Sequence, residues 1–135
     1  MQLTQEQIEF LKKNTKGKFS LNENIEINIE GSFNCSEQNL NDFLGLKFNY
    51  VTDKFKCDYN NLKTLKGSPK KVKSFYCEYN KLKTLEYGPT DVEEEYWCFD
   101  NKLISLKGVP KNKIKRFDCE NNPYLNNFKD LPYVL

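Results

Sequence analysis

The sequence predicts a β-rich solenoid, and three observations carry that expectation. Five cysteines recur at Cys35, Cys57, Cys77, Cys98 and Cys119, with spacings of 22, 20, 21 and 21 residues. Each sits in the same local frame. An aromatic precedes it by two residues (Phe33, Phe55, Phe75, Tyr96, Phe117). In the last four copies an asparagine follows three residues later (Asn60, Asn80, Asn101, Asn122), and Gln38 holds that place in the first. Leucines then fall five and eight residues past the cysteine in the central copies: Leu62 and Leu65, Leu82 and Leu85, Leu103 and Leu106. A fixed period of about 20 to 30 residues is the mark of stacked structural repeats.

The chain opens with helix signals. Thr4 followed by Gln7 reads as a capping box, with Leu3 and Ile8 placed as its hydrophobic staple. A helix is expected from about residue 5 to Asn14, stopping before Gly17. Phe19 and Leu21, then Ile25, Ile27 and Ile29, alternate with polar residues on either side of Asn22–Asn24, which reads as a hairpin. Helix and hairpin together make an N-terminal cap over residues 1–30. Residues 31–132 hold five coils of one domain, and residues 133–135 close the end as an irregular lid.

Within a coil, aromatic-x-Cys is a short strand whose alternate side chains face opposite ways. The aromatic and the cysteine face the core. Strands are therefore expected to centre on the five cysteines and to form one parallel sheet. The asparagine stands where the chain turns away, and its amide can bond backbone groups that no sheet ladder satisfies. The leucines refill the core from the returning arc; Leu40 and Phe43 do so in the first copy, Leu125 and Phe128 in the last. Gly67, Gly88 and Gly108 permit positive φ. Pro69, Pro89 and Pro110 leave little helix on the far side. One coil cannot bury its own apolar face, so coils must stack.

This pattern resembles the leucine-rich repeat, in which a strand L-x-x-L-x-L is followed by x-x-N-x-L. The aromatic and the cysteine stand for the last two strand leucines. Val72 and Ile114 sit where the first would be, and Val51 and Val92 are displaced from it by one residue. More narrowly, "FKCDYNNLKTLKGSP", "FYCEYNKLKTLEYGP" and "YWCFDNKLISLKGVP" resemble the F-x-C-x-x-N-x-L-x-x-L-x-G-x-P unit of short repeat proteins encoded by tailed bacteriophages. The resemblance implies a right-handed coil and a viral protein in the host cytoplasm that antagonises a host or defence protein. It implies no shared enzymatic activity.

Composition sets bounds. Lys plus Arg is 21 against 19 Asp plus Glu, a net charge of +2, which disfavours a dedicated nucleic-acid binder. No apolar run is long enough to span a membrane, and the start lacks a secretory pattern, so a cytoplasmic protein is expected. With no histidine, Ser-His and Cys-His nucleophile pairs are excluded, and no phosphate-binding or zinc-protease motif is present. Asp58 and Glu78 are paired carboxylates on neighbouring strands, with nothing in the sequence that builds a pocket around them. We therefore expect a protein that is not an enzyme and carries no cofactor. The cysteines read as a column of reduced, buried thiols. A zinc site, the alternative, lacks any C-x2-C pair.

Function then falls to the outer sheet face. Tyr76, Trp97 and Phe99 form its aromatic centre, with Tyr59 and Tyr79 at one margin. Lys54, Lys56 and Arg116 alternate with Asp58, Glu78, Glu95 and Asp118 around them. An apolar centre inside a polar rim is the anatomy of a protein-binding site. Aromatic pairs also stiffen sheets without binding anything. Three readings follow: a non-catalytic module binding a protein partner, a single-stranded nucleic-acid binder using the rings as stacking platforms, and a small self-assembling structural protein.

Overall fold

The computed structural model describes residues 2–134. The elements are α1 (Gln5–Asn14), β1 (Thr15–Leu21), β2 (Ile27–Asn34), β3 (Phe48–Lys56), β4 (Lys71–Tyr76), β5 (Asp91–Trp97), β6 (Lys113–Ile114), β7 (Arg116–Asp118) and β8 (Tyr133–Val134). Six strands form one sheet in the order β1-β2-β3-β4-β5-β7. β1 is antiparallel to β2, and every later pairing in that sheet is parallel. Five parallel strands joined by four arcs make a solenoid of about four turns, with one short helix at its N-terminal end.

The cap forms as its sequence dictates. Thr4 Oγ1 accepts from the Gln7 amide while Gln7 Oε1 accepts from the Thr4 amide, which satisfies two otherwise orphaned donors. Phe10 and Leu11 turn into the core. The hairpin starts directly after the helix at Thr15. Its second strand, β2, runs on to Asn34 and is also the strand of the first coil, so cap and repeats share an element.

The strands end one residue before each cysteine rather than centring on it. The reason lies in the residues that follow. The Cys35, Cys57, Cys77 and Cys98 amides still donate to the next strand, at 2.8–2.9 Å, but the second residue after each cysteine adopts positive φ and ends the extended run. Glu37, Tyr59, Tyr79, Asp100 and Asn121 all lie at φ 53–56°. The cysteines do face inward: Cys35, Cys57, Cys77 and Cys98 are buried, and Cys119, at the end of the stack, is half-buried. Beside them runs a column of rings, Phe33–Phe55–Phe75–Tyr96–Phe117, with neighbouring centroids 5.2–5.7 Å apart. Val51, Val72 and Val92 pair across β3, β4 and β5. β3 and β5 absorb their extra residue as bulges between the valine and the aromatic, which explains the displaced spacing. Ile114 is buried but belongs to β6, which pairs with β8 in a separate two-stranded sheet. The C-terminal segment is thus partly paired. Leu135 lies outside the described residues.

The asparagines knit the coils together. Asn80 Nδ2 donates to the carbonyls of Cys57 (3.0 Å), Cys77 (3.1 Å) and Glu78 (3.4 Å), and its Oδ1 accepts from the Leu62 amide at 2.9 Å. Asn60, Asn101 and Asn122 make the equivalent set. Gln38 ends the ladder differently: it exchanges amide bonds with Asn14, the last residue of α1.

Opposite the sheet the chain makes only turns and bends. Amides of Leu46, Ser68, Gly88, Val109 and Leu131 close turns onto carbonyls three residues back. Gly67 and Gly108 serve there at φ 96° and 95°. Gly88 does not. Tyr87 occupies the left-handed position at φ 68°, because this copy carries its glycine one place late. Gly88 is needed for space instead: a Cβ there would stand 3.0 Å from the Tyr96 hydroxyl and 2.9 Å from the Leu85 carbonyl oxygen.

Two outcomes are expected on chemical denaturation. Asn80→Ala strands several buried backbone groups and is expected to lower stability by about 2–3 kcal/mol. Tyr96 is fully buried and its hydroxyl has no hydrogen-bond partner among the described residues. Tyr96→Phe, which restores the ring found in the other four coils, is expected to raise stability by about 1 kcal/mol. A loss of stability in that variant would reveal a partner for the hydroxyl.

Candidate functional site

The outer columns of the sheet follow from strand alternation. One row reads Lys56, Tyr76, Trp97, Asp118, paired in register. Two residues further along the chain the same side carries Ser36, Asp58, Glu78, Phe99 and Glu120. The sheet ladder continues past the strand ends, with the Tyr59 amide on the Glu78 carbonyl and the Tyr79 amide on the Phe99 carbonyl at 3.0 and 3.1 Å. The predicted aromatics are therefore brought together. Tyr76 and Trp97 meet edge to face at 4.7 Å, Trp97 and Phe99 lie 5.9 Å apart, and Phe99 and Tyr79 5.6 Å. Tyr79 stacks on Tyr59 at 4.2 Å.

Their accessibility differs in a way the sequence did not show. Tyr76 is only 5% exposed although it points away from the core. Trp97 covers one side of it, and the Lys56 ammonium lies 6.0 Å from its ring centre. Its hydroxyl donates to Glu95 Oε1 at 2.5 Å, and Glu95 Oε2 in turn accepts from Arg116 Nε at 2.8 Å. Burial, then the bond to Glu95, push the Tyr76 phenol up to about 12. The bonds from Tyr76 and Arg116 hold the Glu95 carboxyl below its ordinary range. Tyr76 is thus held within the face, while Trp97 and Phe99 are half-buried and Tyr59 and Tyr79 stand exposed. Arg116 is exposed but engaged by Glu95; Lys54 is exposed. Glu95 was legible as part of the rim. Its part in linking Tyr76 to Arg116 needed the strand register.

The carboxyl pair departs furthest from its expected rim position. Asp58 and Glu78 are 7% and 6% exposed. Ser36 Oγ donates to Asp58 Oδ1 at 2.5 Å. Glu78 Oε1 is buried and has no hydrogen-bond partner among the described residues. Burial raises the Glu78 carboxyl to about 7; its own backbone amide and Lys56 oppose the rise, and Asp58 and Asp118 add repulsion. Elsewhere charged side chains pair between coils: Glu94 lies 3.5 Å from Lys73 and 3.9 Å from Lys115 on the adjacent coils, and Glu26 lies 2.9 Å from Lys70, two coils on.

The thiols are protected. Cys35, Cys57 and Cys98 donate through Sγ to carbonyls of the next strand at 3.4 Å, and burial pushes these thiols up. A thiol held protonated is neither a nucleophile nor a metal ligand. Among the described residues no group of three or more His, Cys, Asp or Glu side chains is placed to hold a metal ion, and no helix is long and apolar enough to cross a membrane. Among protein-family models, curated proteins and solved structures, nothing matches this chain.

Glu78 makes stability depend on pH. Its folded carboxyl binds a proton more tightly than the unfolded one, so the contribution is fully present below about pH 4.5 and is lost as pH rises through about 7. The melting temperature is expected to fall between pH 5 and pH 8, and Glu78→Gln to flatten that fall. No histidine titrates in the same window. A wild-type slope unchanged in the variant would remove Glu78 as its source.

Proposed function

We propose that this protein is a non-catalytic binding module that engages a protein partner through the outer face of its parallel sheet. The observation that carries the reading is the continuous run of rings from Tyr59 through Tyr79 and Phe99 to Trp97, in contact with one another and open to solvent at one side. The inward columns are complete without them. Large rings ringed by charge supply most of the energy in protein interfaces. The rim is Lys54, Lys56 and Arg116, with the acids of the neighbouring strands. Tyr76 supports Trp97 from within the face. On the phage resemblance, the partner is a host protein in the cytoplasm, one that senses or resists infection.

Nucleic acid is the second reading, and the rings would serve it as stacking platforms. Asp58, Glu78, Glu95 and Asp118 on the same face oppose it, since a phosphate backbone would pass directly over them. Titration with labelled single-stranded oligonucleotides at two salt concentrations separates the readings. Tight binding that falls steeply with salt would favour nucleic acid.

Trp97→Ala is the decisive variant. It is expected to weaken partner capture by about 2 kcal/mol or more, roughly thirty-fold. Its melting temperature is expected to stay close to that of the parent, because the ring lies outside the core. If Trp97→Ala unfolds the protein, or folds and captures the same partner equally well, the rings serve only to stiffen the sheet.

A further inference from the structure

We propose that the face takes an arginine side chain of its protein partner at the Asp58–Glu78 carboxyl pair, against the neighbouring rings of Tyr79, Phe99 and Trp97. This rests on the protein-binding reading and names the chemistry of the partner.

Glu78 supplies the first ground. It is more than nine-tenths buried on the outer side of the sheet, and one of its carboxyl oxygens has no hydrogen-bond partner among the described residues. An acceptor left unmet in a desolvated place is costly unless something supplies a donor. The second ground is that no cation in the chain supplies it. Among the described residues, none of the ion pairs includes Asp58 or Glu78. Lys56 acts on Glu78 through its charge but makes no ion pair with it, and its ammonium lies 6.0 Å from the Tyr76 ring centre. Arg116 is held by Glu95. The third ground is charge. Asp58 and Glu78 follow the ends of β3 and β4, and Asp118 and Glu120 lie at the end of β7 beyond the rings of β5, so these two outer rows carry more acid than base.

Rings beside a carboxyl pair select among cations. Guanidinium is planar, weakly hydrated and rigidly forked. It stacks on aromatic faces and meets two carboxyl groups at once, whereas an ammonium is a compact and strongly hydrated point charge. The Lys56–Tyr76 contact already shows that this surface draws a cation onto a ring.

Binding must also be linked to protons. Besides its own backbone amide, the groups that act on Glu78 are Asp58 and Lys56 from the β3 coil and Asp118 from β7. An arriving guanidinium favours the ionised carboxylate. Below neutrality it therefore releases a proton from Glu78, and apparent affinity rises with pH up to about 8.

Trp97 is the only tryptophan, so its fluorescence reports on the site. The probes are an acetylated, amidated Gly-Arg-Gly-Arg-Gly peptide and the same peptide with glutamine for arginine. The arginine peptide is expected to give a saturable change, about ten-fold tighter at pH 8 than at pH 5.5. The glutamine peptide is expected to give none. Glu78→Gln and Asp58→Asn, each checked for folding by circular dichroism, are expected to weaken the arginine peptide at least ten-fold at pH 8, and Glu78→Gln is expected also to abolish the pH dependence. Glu9→Gln, on α1, is expected to leave it unchanged. Absence of binding, equal binding of both peptides, or full binding by both carboxyl variants would overturn the proposal. A partner lost by Trp97→Ala but kept by Glu78→Gln would overturn the arginine and leave the binding reading standing. A partner kept by Trp97→Ala would sink the wider reading itself.

Discussion

Everything in this molecule is spaced by one buried amide. In each of the last four coils an asparagine carboxamide reaches between neighbouring coils, donating to carbonyls on both and accepting an amide from the one before. Turning the chain out of the sheet would otherwise leave those groups buried and unpaired. No other side chain of that length offers both two donors and an acceptor. Because the amide contacts two coils, it sets their offset. The offset in turn aligns the rings and thiols inside and the columns outside. The outer face is a by-product of that alignment, and residues about 20 positions apart become neighbours without any local design.

That alignment makes the outer face economical to vary. The inner positions are confined to aromatic, cysteine and leucine by the packing of the next coil. The outer ones are free, and across five coils they read Asn34, Lys56, Tyr76, Trp97, Asp118 in one column and Ser36, Asp58, Glu78, Phe99, Glu120 in the next. Rings cluster in the middle, and Tyr59 and Tyr79 extend them from backbone positions of positive φ. A tyrosine is an uncommon occupant of that region, whereas Asp100 and Asn121 suit it. The two tyrosines are also the pair that stacks most closely. At the centre the same geometry buries Glu78, which lies in the row between Asp58 and Phe99, two residues past Tyr76.

The inward half of the fold was legible because it repeats. Cysteine, aromatic, asparagine and leucine each recur, so each could be checked against its copies. The outward half recurs in position but not in kind, and its contacts depend on rotamers that no spacing encodes. The sequence placed Tyr76 beside Trp97, but not beneath it. It placed Asp58 and Glu78 on adjacent strands, yet gave them to the rim, since burial of an acid between rings depends on how large neighbours lean. Gly88 was misread because the copies were aligned on residue type. Counting from Cys77 puts Tyr87 at the turn. The strand ends shifted because a tyrosine in a left-handed conformation has no signature in composition.

The two ends of the stack are not equivalent, and this gives the molecule a mechanical direction. At the first coil the ladder is tied off by the Asn14–Gln38 exchange, with Phe10 and Leu11 packed over the rings. At the last, β7 is three residues long, Cys119 and Leu125 are only half-buried, and Phe128 is 54% exposed. A chain held mainly by contacts between adjacent coils unravels from its weaker end. Under tension, coils would peel from the C-terminal side one at a time, as a zipper opens. The rings of Trp97 and Phe99 would loosen early, and those of Tyr59 would hold until late.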